Sequence, residues 1–205
     1  MKAVRFCLCV TLFFLCAFPL QAAEPPERQG PEGVVRAFYT QLVTTMKQGE
    51  ALGIEGRYKK LDPPVRTAFN LPLMAHAAVG PSWSAATTQE QEDLIAAFTD
   101  YSIASYAARF PDYHGEQFTV TGQKPSTAGG VIVETTLAPP DNAPPVALNY
   151  LLRTDKKGAW RIVDVFLNGA ISEMATRRAE FSSIARRDGM PALTHSLSIK
   201  AKQGL

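Results

Sequence analysis

From Pro31 onward apolar residues recur at three- and four-residue steps, at Val34, Val35, Phe38, Leu42 and Met46, and this spacing predicts a helix from Pro31 to about Lys47. The next stretch, Glu50 to Phe69, is helical in residue type but contains Pro63-Pro64, so it reads as a helix broken at the prolines. A short helix over Pro72 to Val79 stops at Gly80-Pro81. Thr87 or Thr88 then caps a long helix reaching Phe110, with Leu94, Phe98, Tyr101 and Ile103 among its apolar positions and Pro111 as a natural stop.

At Glu116 the pattern changes. Phe118 to Gly122, Val131 to Leu137, Val146 to Leu152 and Trp160 to Leu167 are short runs rich in β-branched and aromatic residues, separated by Gly, Pro, Asn and Asp clusters. They predict an antiparallel meander, with Val131, Val133, Thr135 and Leu137 on one face of a strand and Val146, Leu148, Tyr150 and Leu152 on one face of the next. Asn168-Gly169 is turn chemistry, and Ser172 with Glu173 suits the start of a helix running to about Arg187. A last amphipathic helix follows Gly189 and Pro191 up to Lys202. Helices, then strands, then helices predict an α+β fold in which N-terminal and C-terminal helices pack on a curved four-stranded antiparallel sheet.

The segment from Trp160 to Phe181 carries the sharpest chemical questions. Asp164 lies inside an apolar strand, and strict alternation puts it on the same face as Trp160, Ile162 and Phe166 unless a bulge intervenes. Three roles are open to it: partner of a buried cation, solvated surface charge, or catalytic base. On the following helix Met174, Ala175, Phe181, Ile184 and Ala185 form an apolar stripe with Arg178 close to its middle. That arginine is expected to snorkel, to pair with Asp164, or to meet an anionic head group.

The chain start alters the charge and redox picture. Lys2 and Arg5, an apolar run from Phe6 to Leu20 and small residues at Ala22 and Ala23 read as a secretory signal peptide over residues 1–23, followed by one domain over residues 24–205. The run is short and interrupted by Pro19, which favours a cleaved leader over an anchor. All three cysteines, Cys7, Cys9 and Cys16, lie in this leader, so the remaining chain is expected to have no disulfide and no thiolate chemistry. Leu15 stands where lipoprotein processing would want a small residue. Of 21 basic residues, Lys2 and Arg5 leave with the leader and no acid does, so 19 basic residues face 19 acidic ones. No basic excess remains for a nucleic-acid partner.

Catalytic and metal motifs are sparse. His76, His114 and His195 are widely spaced, with no HExxH pattern, and there is no nucleophile elbow and no Gly-rich phosphate loop. No metal or cofactor is expected. Aromatic residues are plentiful on elements that converge, among them Phe69, Tyr106 and Phe110.

The ordered blocks RYKKLDPPVRTAFNLPLMAHAAVGPSW, AAFTDYSIASYAARF, WRIVDVFLNGAIS and RRAEF resemble the MlaC-type periplasmic phospholipid-binding family, also called toluene-tolerance auxiliary proteins. The likeness runs from roughly Pro31 to Lys202 and looks closest to the hopanoid-biosynthesis-associated HpnM branch. Trp160, Asp164, Gly169, Ser172, Arg178 and Phe181 fall on the family's C-terminal block. Two positions depart from it: two residues rather than one separate Gly169 from Ser172, and Arg177 stands where an aromatic is usual. The longer turn is expected to reshape the cavity mouth.

The resemblance implies that the helices and curved sheet enclose an apolar cavity for lipid, and that the protein carries phospholipid or hopanoid across the periplasm without covalent chemistry. It implies as partners an inner-membrane lipid transporter and an outer-membrane lipoprotein complex. Met74, Trp83, Phe98, Tyr101, Val133, Leu148, Tyr150, Phe166 and Phe181 are the candidate lipid-binding wall, with Arg178 at the polar end. Two rival readings stand beside the carrier. One is a small cone-fold enzyme with Asp164 as general base, and the other is an adaptor docking to a membrane complex through its basic C-terminal helices.

Overall fold

The computed structural model describes residues 29–141 and 143–204; the expected leader, and with it every cysteine, lies outside the described residues. Five helices precede the strands: α1 (Pro31–Met46), α2 (Gly49–Ala68), α3 (Leu71–Val79), α4 (Ser82–Ala85) and α5 (Thr88–Arg109). Five strands follow, β1 (Gln117–Pro125), β2 (Val131–Ala138), β3 (Val146–Thr154), β4 (Trp160–Leu167) and β5 (Ile171–Ser172), before α6 (Glu173–Asp188) and α7 (Met190–Gln203).

Local chemistry accounts for most of these ends. Thr87 and Glu90 form a reciprocal capping box at α5, and Ser172 caps α6 by accepting from Ala175 N–H. Helix α2 departs from its sequence reading. The helix runs through Pro63 and Pro64, and the break falls at Gly53, whose φ of 58° and ψ of −177° suit a residue without a Cβ.

The sheet is a purely antiparallel meander in the order β1-β2-β3-β4-β5. It has five strands rather than the four expected. The added one is the two-residue β5, turned back by Asn168 and Gly169 at positive φ and paired through Phe166–Ser172 and Leu167–Ile171. Helix α1 lies across the core face of the sheet and contacts β1, β2 and β4. Helices α2, α3 and α6 meet β4, while α5 and α7 pack on each other beyond them. The core sits between: Val35, Phe38 and Leu42 from α1, Leu61 and Val65 from α2, Phe98 and Ile103 from α5, and Val133, Tyr150, Leu152 and Ile162 from the sheet are all buried. One polar pair spans this apolar layer. Tyr39 Oη and Thr135 Oγ1 lie 2.7 Å apart, and Thr135 donates onward to the Leu148 carbonyl.

Strand β4 settles the question of Asp164. The register slips between Leu151–Asp164 and Leu152–Ile162, leaving Val163 as the extra residue of a bulge. Ile162 points into the core before it, and Val165 and Leu167 after it. Phe166 therefore turns to the opposite face. Asp164 is buried, and its carboxylate accepts from Ser172 Oγ at 2.5 Å, Met174 N–H at 3.0 Å and Val165 N–H at 2.7 Å. It is neither solvated nor paired with Arg178; it anchors the start of α6 to β4.

Asp164→Asn keeps the size of the side chain but places an amide NH2 where one oxygen accepts. The expected cost is about 1–3 kcal/mol in urea unfolding, with earlier hydrogen exchange in α6 than in α5. A wild-type midpoint would remove the carboxylate from this role.

Candidate functional site

Four helices and one strand converge on a cleft. Helix α5 offers Ser102, Ser105, Tyr106 and Arg109, spaced by three and four residues and so on one face; α6 offers Glu173, Met174 and Arg177. The apolar side comes from Val65 of α2, Phe69 just past its end, Leu71 and Met74 of α3, and Val165, turned inward by the bulge. The cleft is therefore amphiphilic, with apolar walls on one side and hydroxyls and charges on the other.

The polar side is an interlinked set. Glu173 lies 3.6 Å from Arg109 and 3.7 Å from Arg177, so one carboxylate serves two guanidiniums. Arg177 is held from beneath by aromatic faces: its guanidinium carbon is 5.1 Å from the Tyr101 ring centroid and 5.6 Å from that of Phe98. Its Nη1 also reaches Ser102 Oγ at 3.4 Å. With 18% of its side chain exposed it is largely committed, whereas Arg109, at 59%, is open to solvent. Burial, aided by Tyr39, pushes the Tyr106 phenol well above its ordinary pKa; Arg177 and Arg109 pull it partly back. Its hydroxyl stays protonated at neutral pH.

The residues singled out from sequence are scattered relative to this cleft. Met74 lines it. Phe98, Tyr101 and Phe181 form the aromatic bed under Arg177, with Phe181 6.5 Å and 6.0 Å from the other two rings. Val133, Leu148 and Tyr150 are buried on the core face of the sheet, where Tyr150 meets Tyr39 edge-on at 5.7 Å. Trp83 stacks on His76 at 4.9 Å, beyond α3. Phe166 is on the far face of the sheet beside Ile132 and Asn149.

Arg178 is exposed and lies against Gly80, where a Cβ would meet its Nη2 at 3.0 Å. The arginine that enters the cleft is its neighbour Arg177. Sequence reading missed Arg109, Glu173 and Arg177 together; the i, i+4 spacing of Glu173 and Arg177 was visible, but not that α5 brings Arg109 opposite them.

The interior is packed more closely than expected. The cleft holds about 50 Å³, against roughly 300–1,000 Å³ for typical ligand pockets. As it stands, the cleft is not a cavity of lipid size. Nor do those residues include a helix long and apolar enough to cross a membrane, or a His, Cys, Asp and Glu grouping able to hold a metal.

Helices laid on one face of an antiparallel meander, with an amphiphilic cleft where α5 and α6 meet β4, define an α+β protein of the kind that pairs apolar walls with a charged rim. The family model described as MlaC protein matches residues 36–198, and the chain belongs to that family. Its fold is shared with a solved phospholipid-binding protein from Ralstonia solanacearum, a structure in complex with a phospholipid. The two align with a TM-score of 0.73 at 20% identity, over 86% of this chain and 99% of the other.

Arg177→Leu keeps an apolar stem over Phe98 and Tyr101 while deleting the charge. Glu173 keeps Arg109 as a partner, so the loss is confined to the stacking on two rings and one half-buried pair, and unfolding stability is expected to fall by about 1–2 kcal/mol in a denaturant titration. A loss several times larger would make this arginine a structural residue instead.

Proposed function

We propose that this chain is a periplasmic lipid carrier that binds a phospholipid non-covalently and shuttles it between the inner and outer membranes. The observation that carries the reading is the cleft itself. Its apolar wall of Val65, Phe69, Leu71, Met74 and Val165 faces a rim formed by Arg109, Glu173 and Arg177 with Ser102 and Ser105. An amphiphile needs both halves: its hydrocarbon leaves water at about 25 cal/mol per Å², and its phosphate exchanges hydration for charge-assisted hydrogen bonds.

Membership of the MlaC family, and the phospholipid in the Ralstonia solanacearum protein, support the same cargo. The two guanidiniums favour a phosphate-bearing lipid over an uncharged hopanoid. Met74 then stands in the apolar wall, and Phe98, Tyr101 and Phe181 support the rim from below. Binding requires the cleft to widen, with α3 and α6 parting above the packed sheet, where Val133, Leu148 and Tyr150 become accessible to a chain. An inner-membrane transporter and an outer-membrane lipoprotein complex are the partners this role needs.

No covalent step is proposed. Asp164, which an enzyme reading requires as a base, has its oxygens committed to Ser172, Met174 and Val165.

Native mass spectrometry of protein isolated from the periplasm, and of protein incubated with phosphatidylglycerol vesicles, tests the carrier reading. A mass increment equal to one or more intact lipids is expected. Protein that stays empty under both conditions overturns it. Arg177→Leu is expected to lower phosphatidylglycerol uptake about tenfold or more, the scale of one lost charge-assisted hydrogen bond. Uptake at the wild-type level would move the head-group contact elsewhere.

A further inference from the structure

Behind the cleft lies a second opening that the site above does not use. It is a groove of about 270 Å³ between α1 and α2, walled by Val34, Ala37 and Phe38 on one side and Pro64, Thr67 and Ala68 on the other. Arg161 borders it, but that guanidinium is engaged, 3.3 Å from Asp155 and donating to the Thr67 carbonyl. What separates groove from cleft is a trio of rings. Phe38 faces the groove, Phe69 and Tyr106 face the cleft, and Phe38 meets the other two edge-on with centroids 5.2 Å away.

We propose that this groove is a second apolar subsite, which receives one hydrocarbon chain of a two-tailed lipid while the head group and the other chain occupy the cleft. The rings of Phe38, Phe69 and Tyr106 form the movable partition between them. The proposal rests on the carrier reading and adds to it where the second chain goes.

Three observations converge on it. The cleft, at about 50 Å³, has no room for two chains, whereas joined to the groove of about 270 Å³ it reaches the lower end of the usual ligand range, about 300 Å³. The partition consists of edge-to-face ring contacts, and the Tyr106 side chain already lines the cleft. Turning the rings therefore breaks apolar contacts that hydrocarbon restores in kind. Helix α2 is weakened at the groove, since Pro63 and Pro64 have no N–H to give the carbonyls of Lys59 and Lys60. Its far end is fixed, because Asn70 N–H donates to the Ile162 carbonyl at 2.9 Å. On the groove side of the partition, movement is thereby confined to the rings and the proline turn.

The test fills the groove from its exposed edge, with Ala37→Trp on one wall and Thr67→Trp on the other, both at exposed positions. Uptake of dioleoyl phosphatidylglycerol from vesicles and of single-chain oleoyl lysophosphatidylglycerol is read by native mass spectrometry, with circular dichroism melts confirming the fold. The proposal expects two-tailed uptake to fall about tenfold or more, equivalent to losing burial of two methylenes, with single-chain uptake within about twofold of wild type.

Unchanged two-tailed uptake in both folded variants overturns it and leaves the carrier reading intact. So does an equal loss for both lipids, which would make the groove a general support rather than a chain subsite. Dimerisation of the wild type that either tryptophan abolishes, with lipid uptake unchanged, assigns the groove to a second copy and overturns it as well. If the wild type takes up neither lipid, the carrier reading fails and the proposal falls with it.

Discussion

The carboxylate of Asp164 joins the last long strand to the helix that completes the cleft. By accepting from Ser172 Oγ and Met174 N–H it fixes where α6 begins, and by accepting from Val165 N–H it stiffens the strand just past the bulge. Glu173 and Arg177 follow within one turn, so their approach to α5 depends on this junction. A buried carboxylate is costly to desolvate, and here three donors offset that cost. The same bulge turns Val165 toward the apolar wall. One irregularity in β4 thus sets both halves of the amphiphilic surface.

Much of the architecture was legible in the chain. Element order, the antiparallel meander, the Asn168-Gly169 turn and the Thr87 cap follow from periodicity and local turn chemistry, which act over a few residues. What failed depended on long-range packing. The prolines of α2 did not break it, because their missing N–H groups are tolerated within the packed chain while the kink falls at Gly53. The two-residue β5 is too short for any periodic signal. The bulge at Val163 is invisible to a rule of strict alternation, and it displaced Phe166 from the wall to which that rule assigned it.

The exchange of Arg178 for Arg177 has a similar origin. Neighbours on a helix differ by about 100° in direction, so a stripe drawn from a few apolar residues leaves its edge undetermined. Here α6 packs against α3 on one side, with Gly80 making room for Arg178, and faces the aromatic bed of α5 on the other. The departure noted in the sequence, an arginine in place of an aromatic at position 177, therefore falls at the rim of the cleft. Serines and an arginine at three- and four-residue steps on α5 were also visible, but only the fold shows that they line one wall with Glu173 and Arg177.

Glu173 gives the rim a property that two arginines alone would lack. Its carboxylate sits between Arg109 and Arg177 and cancels one of their two positive charges, so the unladen rim keeps only a single net positive charge. An incoming anion must compete with a tethered rival instead of falling into an open positive well. In the proposed carrier role, small soluble phosphates, which bring no hydrocarbon to the exchange, are at a disadvantage against lipid, and the tethered carboxylate can reclaim both partners when cargo departs. Under that proposal, selectivity against soluble anions and an unhindered return to the empty state both follow from the same side chain.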